Sequence, residues 1–372
     1  MSIIVSKDNI GWVVDHEEFI KKVYCSVIYE HSSSCHRALS FNKHLFEILT
    51  PFLNNLEAKN ASDKKSRRKR KYIALESQIN SKEISVIKLA LKELKNAQKE
   101  STFQATPSFE DLEKNNEEAR KCASSYYSKI FQKDILYFNG GNNFYKPIIA
   151  RIKEDNFLIP NNSVFFCSDI NKLITSLPEN SKFDFILMDP PWWNKYVRRR
   201  KKNQEAAGYK MMYNDEVCAL PVAQWLRPGA LVAVWCTNCE RHIQDVVSRW
   251  FPKWGLHLVA TWFWLKVTRS GEPVCQFSPP PGKQPYERIL FGSVAGRTVP
   301  QPLDNQCIVS VPSSIHSHKP PLVEVIKPFL PAEPKCLELF ARYLLPDWTS
   351  AGDQVLSLQN IKLYTDVEHD DL

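Results

Sequence analysis

Phe185-Ile186-Leu187-Met188-Asp189-Pro190-Pro191-Trp192-Trp193 decides the fold. Four apolar residues in unbroken succession, with no polar alternation, are the pattern of a strand covered on both faces. That strand leaves its sheet through an acid, two prolines and two indoles. Working outward, comparable short apolar runs stand at 164–167, 230–235, 258–262, 288–291, 308–311 and 336–340, with helix candidates between several of them at 217–226, 241–251 and 322–330. Buried strands alternating with helices predict an α/β fold whose sheet is mostly parallel and covered on both sides. In such sheets the working residues lie just past the carboxyl ends of the strands. Asp189 occupies that position.

The corner itself suggests a chemistry. Proline has no N–H and a fixed φ, so Pro190-Pro191 makes a rigid bend whose carbonyl oxygens lack local donors and face the cleft. A carboxylate, backbone acceptors and a flat aromatic wall suit a planar heterocycle with an exocyclic amine. Asp189 and the Pro190 carbonyl accept the two amine hydrogens, while Trp192 or Trp193 stacks on the ring. The lone pair of such an amine is delocalised into its ring. Two acceptors outside the ring plane favour the pyramidal nitrogen and aim that lone pair at an electrophile, each charge-assisted bond contributing about 1.5–3 kcal/mol. The acid orients the amine, and the nitrogen sheds its proton after alkylation. Asp-Pro alone is accounted for by a strand-ending turn; the apolar strand, the whole tetrapeptide and the basic run that follows carry the functional reading together.

Composition narrows the alternatives. The chain has 372 residues, enough for two or three domains and a sizeable core. Its first residues show no basic-then-apolar leader and no run of membrane-spanning length, which predicts a soluble intracellular protein with no membrane association. The 10 cysteines have no framework spacing and read as reduced thiols. Only 11 glycines are present, and the glycine-rich nucleotide loops and the Gly-x-Ser-x-Gly elbow are absent from the sequence. The net charge of +8 is unevenly placed. Lys64-Lys65-Ser66-Arg67-Arg68-Lys69-Arg70-Lys71 and Lys195-Tyr196-Val197-Arg198-Arg199-Arg200-Lys201-Lys202 contain no acid, and the remainder is net acidic. Concentrated cations point to a polyanionic partner.

The predicted organisation is an N-terminal region over 1–59, a basic mobile loop over 60–80, a helical middle region over 81–155 and a main domain over 156–372. Helix-like patterning covers 18–29 and 109–131, and Ile84, Ile87, Leu91 and Leu94 fall at helical spacing.

At Asp189-Pro190-Pro191-Trp192 the chain resembles the N6-adenine methyltransferases typified by the catalytic subunit of the messenger-RNA adenosine writer. The resemblance covers about 163–360. Its other landmarks are Cys167-Ser168-Asp169-Ile170, Trp235-Cys236-Thr237-Asn238, Ser317-His318-Lys319-Pro320, Glu338-Leu339-Phe340-Ala341-Arg342 and Trp348-Thr349-Ser350-Ala351-Gly352-Asp353-Gln354. The stretches 316–322 and 337–342 resemble the methyltransferase-like protein four branch of that family. The resemblance implies a Rossmann-like, S-adenosylmethionine-dependent methyltransferase domain acting on adenine N6, beside a smaller mixed, partly helical N-terminal region. It implies a catalytic set of Asp189, Pro190, Pro191 and Trp192. Asp169 would accept from the cofactor's adenine amine with Ile170 offering backbone contacts, Lys319 would pair with the methionine carboxylate, Phe340 and Arg342 would line the groove with Asp189, and Asp353 and Gln354 would hold the ribose. Asp353 departs from the asparagine often found there. Trp193, Lys195 and Trp235 would meet the substrate.

Arg198, Arg199, Arg200, Lys201 and Lys202 begin six residues after Trp192, where they would grip phosphates beside an extruded base. Lys64 to Lys71 reads as a nuclear import signal. RNA and DNA present the same adenine edge, so the chemistry leaves both open. The branch resemblance favours a nuclear RNA, with a 2′-O-methyladenosine of a small nuclear RNA as the finer expectation. DNA and a catalytically silent nucleic-acid scaffold are the alternatives. A monomer is expected, a heterodimer being the family's other arrangement. Cys236, Cys239 and His242 lack a second cysteine pair at ligand spacing, so no metal is expected.

Overall fold

In the computed structural model the described residues are 2–29, 32–52, 68–97, 103, 107–131, 137–193, 211–278 and 282–367. The chain opens with strands β1 (Ile3–Lys7) and β2 (Gly11–Val14) and helix α1 (His16–Val23), then β3 (Val27–Tyr29), β4 (Ser32–Arg37) and β5 (Leu39–Phe41). A long helix α2 (Arg68–Asn96) and shorter helices α3 (Phe109–Lys114) and α4 (Glu117–Ser125) lead to β6 (Phe138–Asn142), β7 (Ile148–Ile152), β8 (Asp155–Ile159) and β9 (Ser163–Cys167). The remaining strands are β10 (Phe183–Met188), β11 (Leu226–Cys236), β12 (His257–Lys266), β13 (Tyr286–Ser293), β14 (Cys307–Ser310), β15 (Cys336–Leu339), β16 (Trp348–Gly352) and β17 (Tyr364–Asp366).

Eleven of these strands form one sheet in the order β1-β2-β14-β12-β13-β11-β10-β15-β16-β9-β6. Six of its ten pairings are parallel, including the contiguous block β11-β10-β15-β16-β9, so the mostly parallel expectation holds. Every apolar run read from the sequence is a strand. The reason is visible in the packing: Phe185 and Leu187 face one core with Leu231, Ala233 and Trp235, while Ile186 and Met188 face another with Val232, Val234, Leu337 and Leu339. Each large side chain so buried contributes about 1.5–3 kcal/mol. Apart from α2, the helices that cover the sheet are short, and several finish in single π- or 3-10 turns, as at Val246–Trp250 and Lys327–Phe329.

The N-terminal half departs from the sequence reading. Strands β1 and β2 extend the main sheet through β14, with Gly11 opposite Cys307, instead of belonging to a separate region. The polypeptide is helical from Arg68, so the second half of the basic run starts α2 where a loop is predicted; Lys64, Lys65 and Arg67 lie outside the described residues. Helix α2 forms because Ile87, Ala90 and Leu94 recur on one face and pack on Val5, Val13, Phe263 and Val309. The predicted helix over 18–29 ends at Val23, and Ile28 instead pairs with Ile148. Asp15 caps its start, accepting from the Glu18 N–H at 3.0 Å. The middle region is only partly helical, since β6 joins the main sheet and β7 and β8 form a four-stranded sheet with β3 and β4. Among the described residues, no helix is long and apolar enough to cross a membrane.

Candidate active site

Strands β9, β10, β15 and β16 are neighbours, and each delivers side chains at its carboxyl end. Asp169, Ile170 and Asn171 follow β9; Asp189 and Pro191 follow β10; Phe340 and Arg342 follow β15; Gly352, Asp353 and Gln354 close β16. Together with Met212 and Glu216 they line one open cleft. Local sequence shapes these ends. Asp169 Oδ1 accepts from the backbone and side-chain nitrogens of Asn171 at 3.0 and 2.9 Å, so it caps the 3-10 turn Ile170–Lys172 as well as lining the cleft. Phe340 adopts the left-handed conformation, φ 63°, rare for an aromatic residue. It turns the chain so that Ala341 N–H reaches Ala351 at 3.0 Å.

Of the Asp-Pro-Pro-Trp corner, Asp189 and Pro191 line this cleft while Pro190 and Trp192 are buried, and its acceptors are not free as the sequence suggests. The Trp192 N–H folds back onto the Pro190 carbonyl at 2.8 Å, and Pro191 accepts from Met212 at 3.0 Å. Pro190 keeps only its second lone pair for a ligand. Trp192 is also corrected from a stacking wall to a core residue. It is buried, stacks on His242 and Trp250 with centroids 4.6 and 5.1 Å away, and donates its indole N–H to the Trp235 carbonyl at 3.0 Å. Its contribution is to pin the corner to β11. Trp193 remains half-exposed, near-parallel to the exposed Tyr213. Trp235, expected at the substrate, is fully buried because both faces of β11 are covered and its side chain packs in the core with Phe185 and Leu187. Lys195, Arg198, Arg199, Arg200, Lys201 and Lys202 lie outside the described residues.

An ion chain supports Asp189 from behind. Lys319 Nζ stands 3.5 Å from Asp189 and 2.6 Å from Glu287, above the Trp235 ring, and Glu287 also pairs with Lys266. Lys319 is thus held by two carboxylates and does not line the cleft, contrary to its expected pairing with a ligand carboxylate; Arg342 is the cation that lines it. Burial pushes Asp189 up from its ordinary value, with Lys319 and Arg342 opposing. Burial also disfavours charge on Glu287, but Lys266 and Lys319 outweigh it and hold that carboxyl low. Glu287, Glu216, Met212 and Asn171 carry no role in the sequence reading. The available signal was a charged residue at the start of the apolar run 288–291. Cys236 is buried, Cys239 exposed, and His242 Nδ1 is 2.7 Å from Thr237 Oγ1.

S-Adenosylmethionine makes specific demands on such a donor set. Its adenine and ribose need acceptors and an apolar wall, which Asp169, Asp353, Gln354 and Phe340 provide. Its carboxylate needs a cation, provided by Arg342. A methyl group placed on Gly352 would come within 3.2 Å of the Ala341 backbone, so the cleft wall there is built from backbone alone. The residues fit the group.

A doubly covered, mostly parallel sheet with acids and an aromatic residue at four adjacent strand ends is a Rossmann-like arrangement with its ligand cleft beyond the strand carboxyl ends, as in S-adenosylmethionine-dependent methyltransferases. Residues 183–354 match the MT-A70 family, an S-adenosylmethionine-dependent methyltransferase family. It is 34% identical over 252 residues to the N(6)-adenine-specific methyltransferase METTL4 of Homo sapiens, covering 65% of this chain and 52% of that protein. It is 34% identical over 223 residues to a DNA N6-methyl methyltransferase of Caenorhabditis elegans, 59% of this chain and 58% of the other. With the N6-methyladenosine RNA methyltransferase MTA1 of Cryphonectria parasitica it shares 37% identity over 179 residues, 48% and 53% of the two chains. The chain spans about half the length of the curated relatives it matches.

Proposed function

We propose that this protein transfers a methyl group from S-adenosylmethionine to N6 of adenine in a nucleic acid, RNA being favoured over DNA. The reading rests on one observation: Asp189 and Pro191 line the same cleft as Asp169, Phe340, Arg342, Asp353 and Gln354. Those last residues would hold the cofactor, which when bound supplies a methyl group made electrophilic by a sulfonium. Asp189 and the remaining lone pair of Pro190 would accept the amine hydrogens, Trp193 would support the base, and Lys319 would fix the Asp189 carboxylate. Held this way, the N6 lone pair would face the methyl group that the cofactor supplies, and Asp189 and solvent would take up the proton that the alkylated nitrogen sheds. Held alignment of this kind is worth several kcal/mol of barrier.

The finer assignment is a 2′-O-methyladenosine of a small nuclear RNA, modified in the nucleus by a monomeric enzyme. DNA is retained as a second reading because one relative is named for DNA and another for RNA. Labelled S-adenosylmethionine supplied with total nuclear RNA and with genomic DNA separates them. Incorporation into N6-methyladenine of RNA is the expected result, and incorporation into DNA alone selects the second reading. Asp189→Asn should retain fold and cofactor binding yet lose most turnover; undiminished transfer by that variant refutes the orienting role.

A further inference from the structure

Glu338 is a charged residue type in the middle of an apolar strand. It stands on β15 between Leu337 and Leu339, pairs with Leu187 of β10 on one side and with Ser350 of β16 on the other, and is buried. Its Oε2 has no hydrogen-bond partner in the protein, and neither has the hydroxyl of Ser350 across the ladder. An ionised carboxylate in that position would be desolvated with an oxygen that no donor reaches, which strongly favours the neutral acid.

The groups around it belong to the site. Asp189 follows Leu187 by two residues at the end of β10, and its charge acts on Glu338. Tyr343, on the turn after β15, feels both carboxyl groups. Lys319 and Arg342 are the cations acting on Asp189, with Glu287 of β13 behind Lys319; His318 packs on Tyr343 with ring centroids 5.5 Å apart. We propose that Glu338 is a positioning residue, held as a neutral acid beside the end of β10 so that β15 sets no second negative charge against Asp189. Burial and the adjacent Asp189 push its carboxyl up to about 8. Once ionised, it repels Asp189, and the oxygen that accepts from the substrate amine loses its fixed place. The site therefore works only while this second acid keeps its proton.

The kinetic consequence rests on the methyl-transfer reading; the protonation state does not. Infrared difference spectra of the full chain, titrated through the alkaline range, should show a protonated-carboxyl C=O band that vanishes with a midpoint of about 8 in the wild type and is missing in Glu338→Gln. With nucleic-acid substrate, wild-type kcat should fall about tenfold per pH unit above that midpoint while KM for S-adenosylmethionine changes little. Glu338→Gln, which mimics the neutral acid, should keep its neutral-pH rate within about threefold and lose the alkaline fall. A band absent from the wild type, a band that persists in the variant, or an alkaline fall that survives the substitution overturns the proposal. Wild-type protein that methylates neither RNA nor DNA sinks the functional reading instead, and the infrared titration still decides whether Glu338 carries a proton.

Discussion

Glu287 carries no role in the sequence reading, yet it anchors Lys319 behind Asp189. Because Lys266 and Lys319 hold its carboxyl low against the effect of burial, its ionised form is the one the fold stabilises. That stability is complete above the ordinary carboxylate range and is lost as pH falls below it, since the unfolded chain takes up the proton first. Glu287→Gln should cost roughly 2–4 kcal/mol near neutral pH, between exposed and fully buried ion pairs, and lower kcat by freeing Lys319. Denaturant titrations at neutral and acid pH check this: the gap between wild type and variant should narrow on acidification, and a gap independent of pH would contradict it. Asp189 was legible because strand, acid and prolines are contiguous. Trp192 was misread because an indole beside a site has the same sequence signature whether it faces ligand or core. Only its stacking on His242 and Trp250 distinguishes the two.

At the scale of elements, helix α1 and the segment before Pro320 meet through two histidines. The rings of His16 and His318 lie 4.3 Å apart, both buried, and Nδ1 of each lacks a partner. Burial pushes His318 down to about 3, with Arg342 contributing, and His16 well below its ordinary value, with His318 contributing. Both are neutral in the folded protein while the unfolded chain protonates them at mildly acid pH. Stability should therefore decline as pH falls below the ordinary histidine value, by up to about 1.4 kcal/mol per pH unit for each group. Replacing His318 with Phe should flatten that decline in urea titrations between neutral and mildly acid pH; an unchanged slope would count against the pair. The β2–β14 junction offers a steric test. A Cβ on Gly11, whose φ is 140°, would sit 1.9 Å from the Cys307 carbonyl oxygen. Gly11→Ala should cost at least the 1–3 kcal/mol of an overpacked core site and expose β2 amides to hydrogen exchange ahead of those of β10. Neither contact was legible, because each joins residues about 300 positions apart and no local pattern marks either partner.

Over the whole molecule, the sequence divides into an N-terminal region and a methyltransferase domain that the folded chain does not keep apart. Sequence texture changes at about residue 160 because the central strands are covered on both faces and read as continuous apolar runs. β1 has one buried residue, Val5, and gives no such signal. Topology nevertheless threads the N-terminal segment through both ends of the fold. Strands β1 and β2 complete the sheet beyond β14, β5 pairs with β17, Ser2 donates to Glu324 at 2.6 Å, and Tyr24 receives a bond from Gln359 at 2.8 Å. Removing residues 1–52 would strip the edge of β14, leaving its N–H and C=O groups open to association, and unpair β17. Such a truncated chain should lose its cooperative thermal transition and aggregate, whereas independent domains would leave a soluble remainder that still binds S-adenosylmethionine. Calorimetry with and without S-adenosylmethionine discriminates them: a ligand-dependent rise in Tm for the truncated protein would show that the cleft stands without its N-terminal strands. The ladder from β2 through β14 and β12 to β13 makes the opposite outcome the physical expectation, because Glu287, which fixes Lys319 beneath Asp189, sits on the strand that this ladder braces.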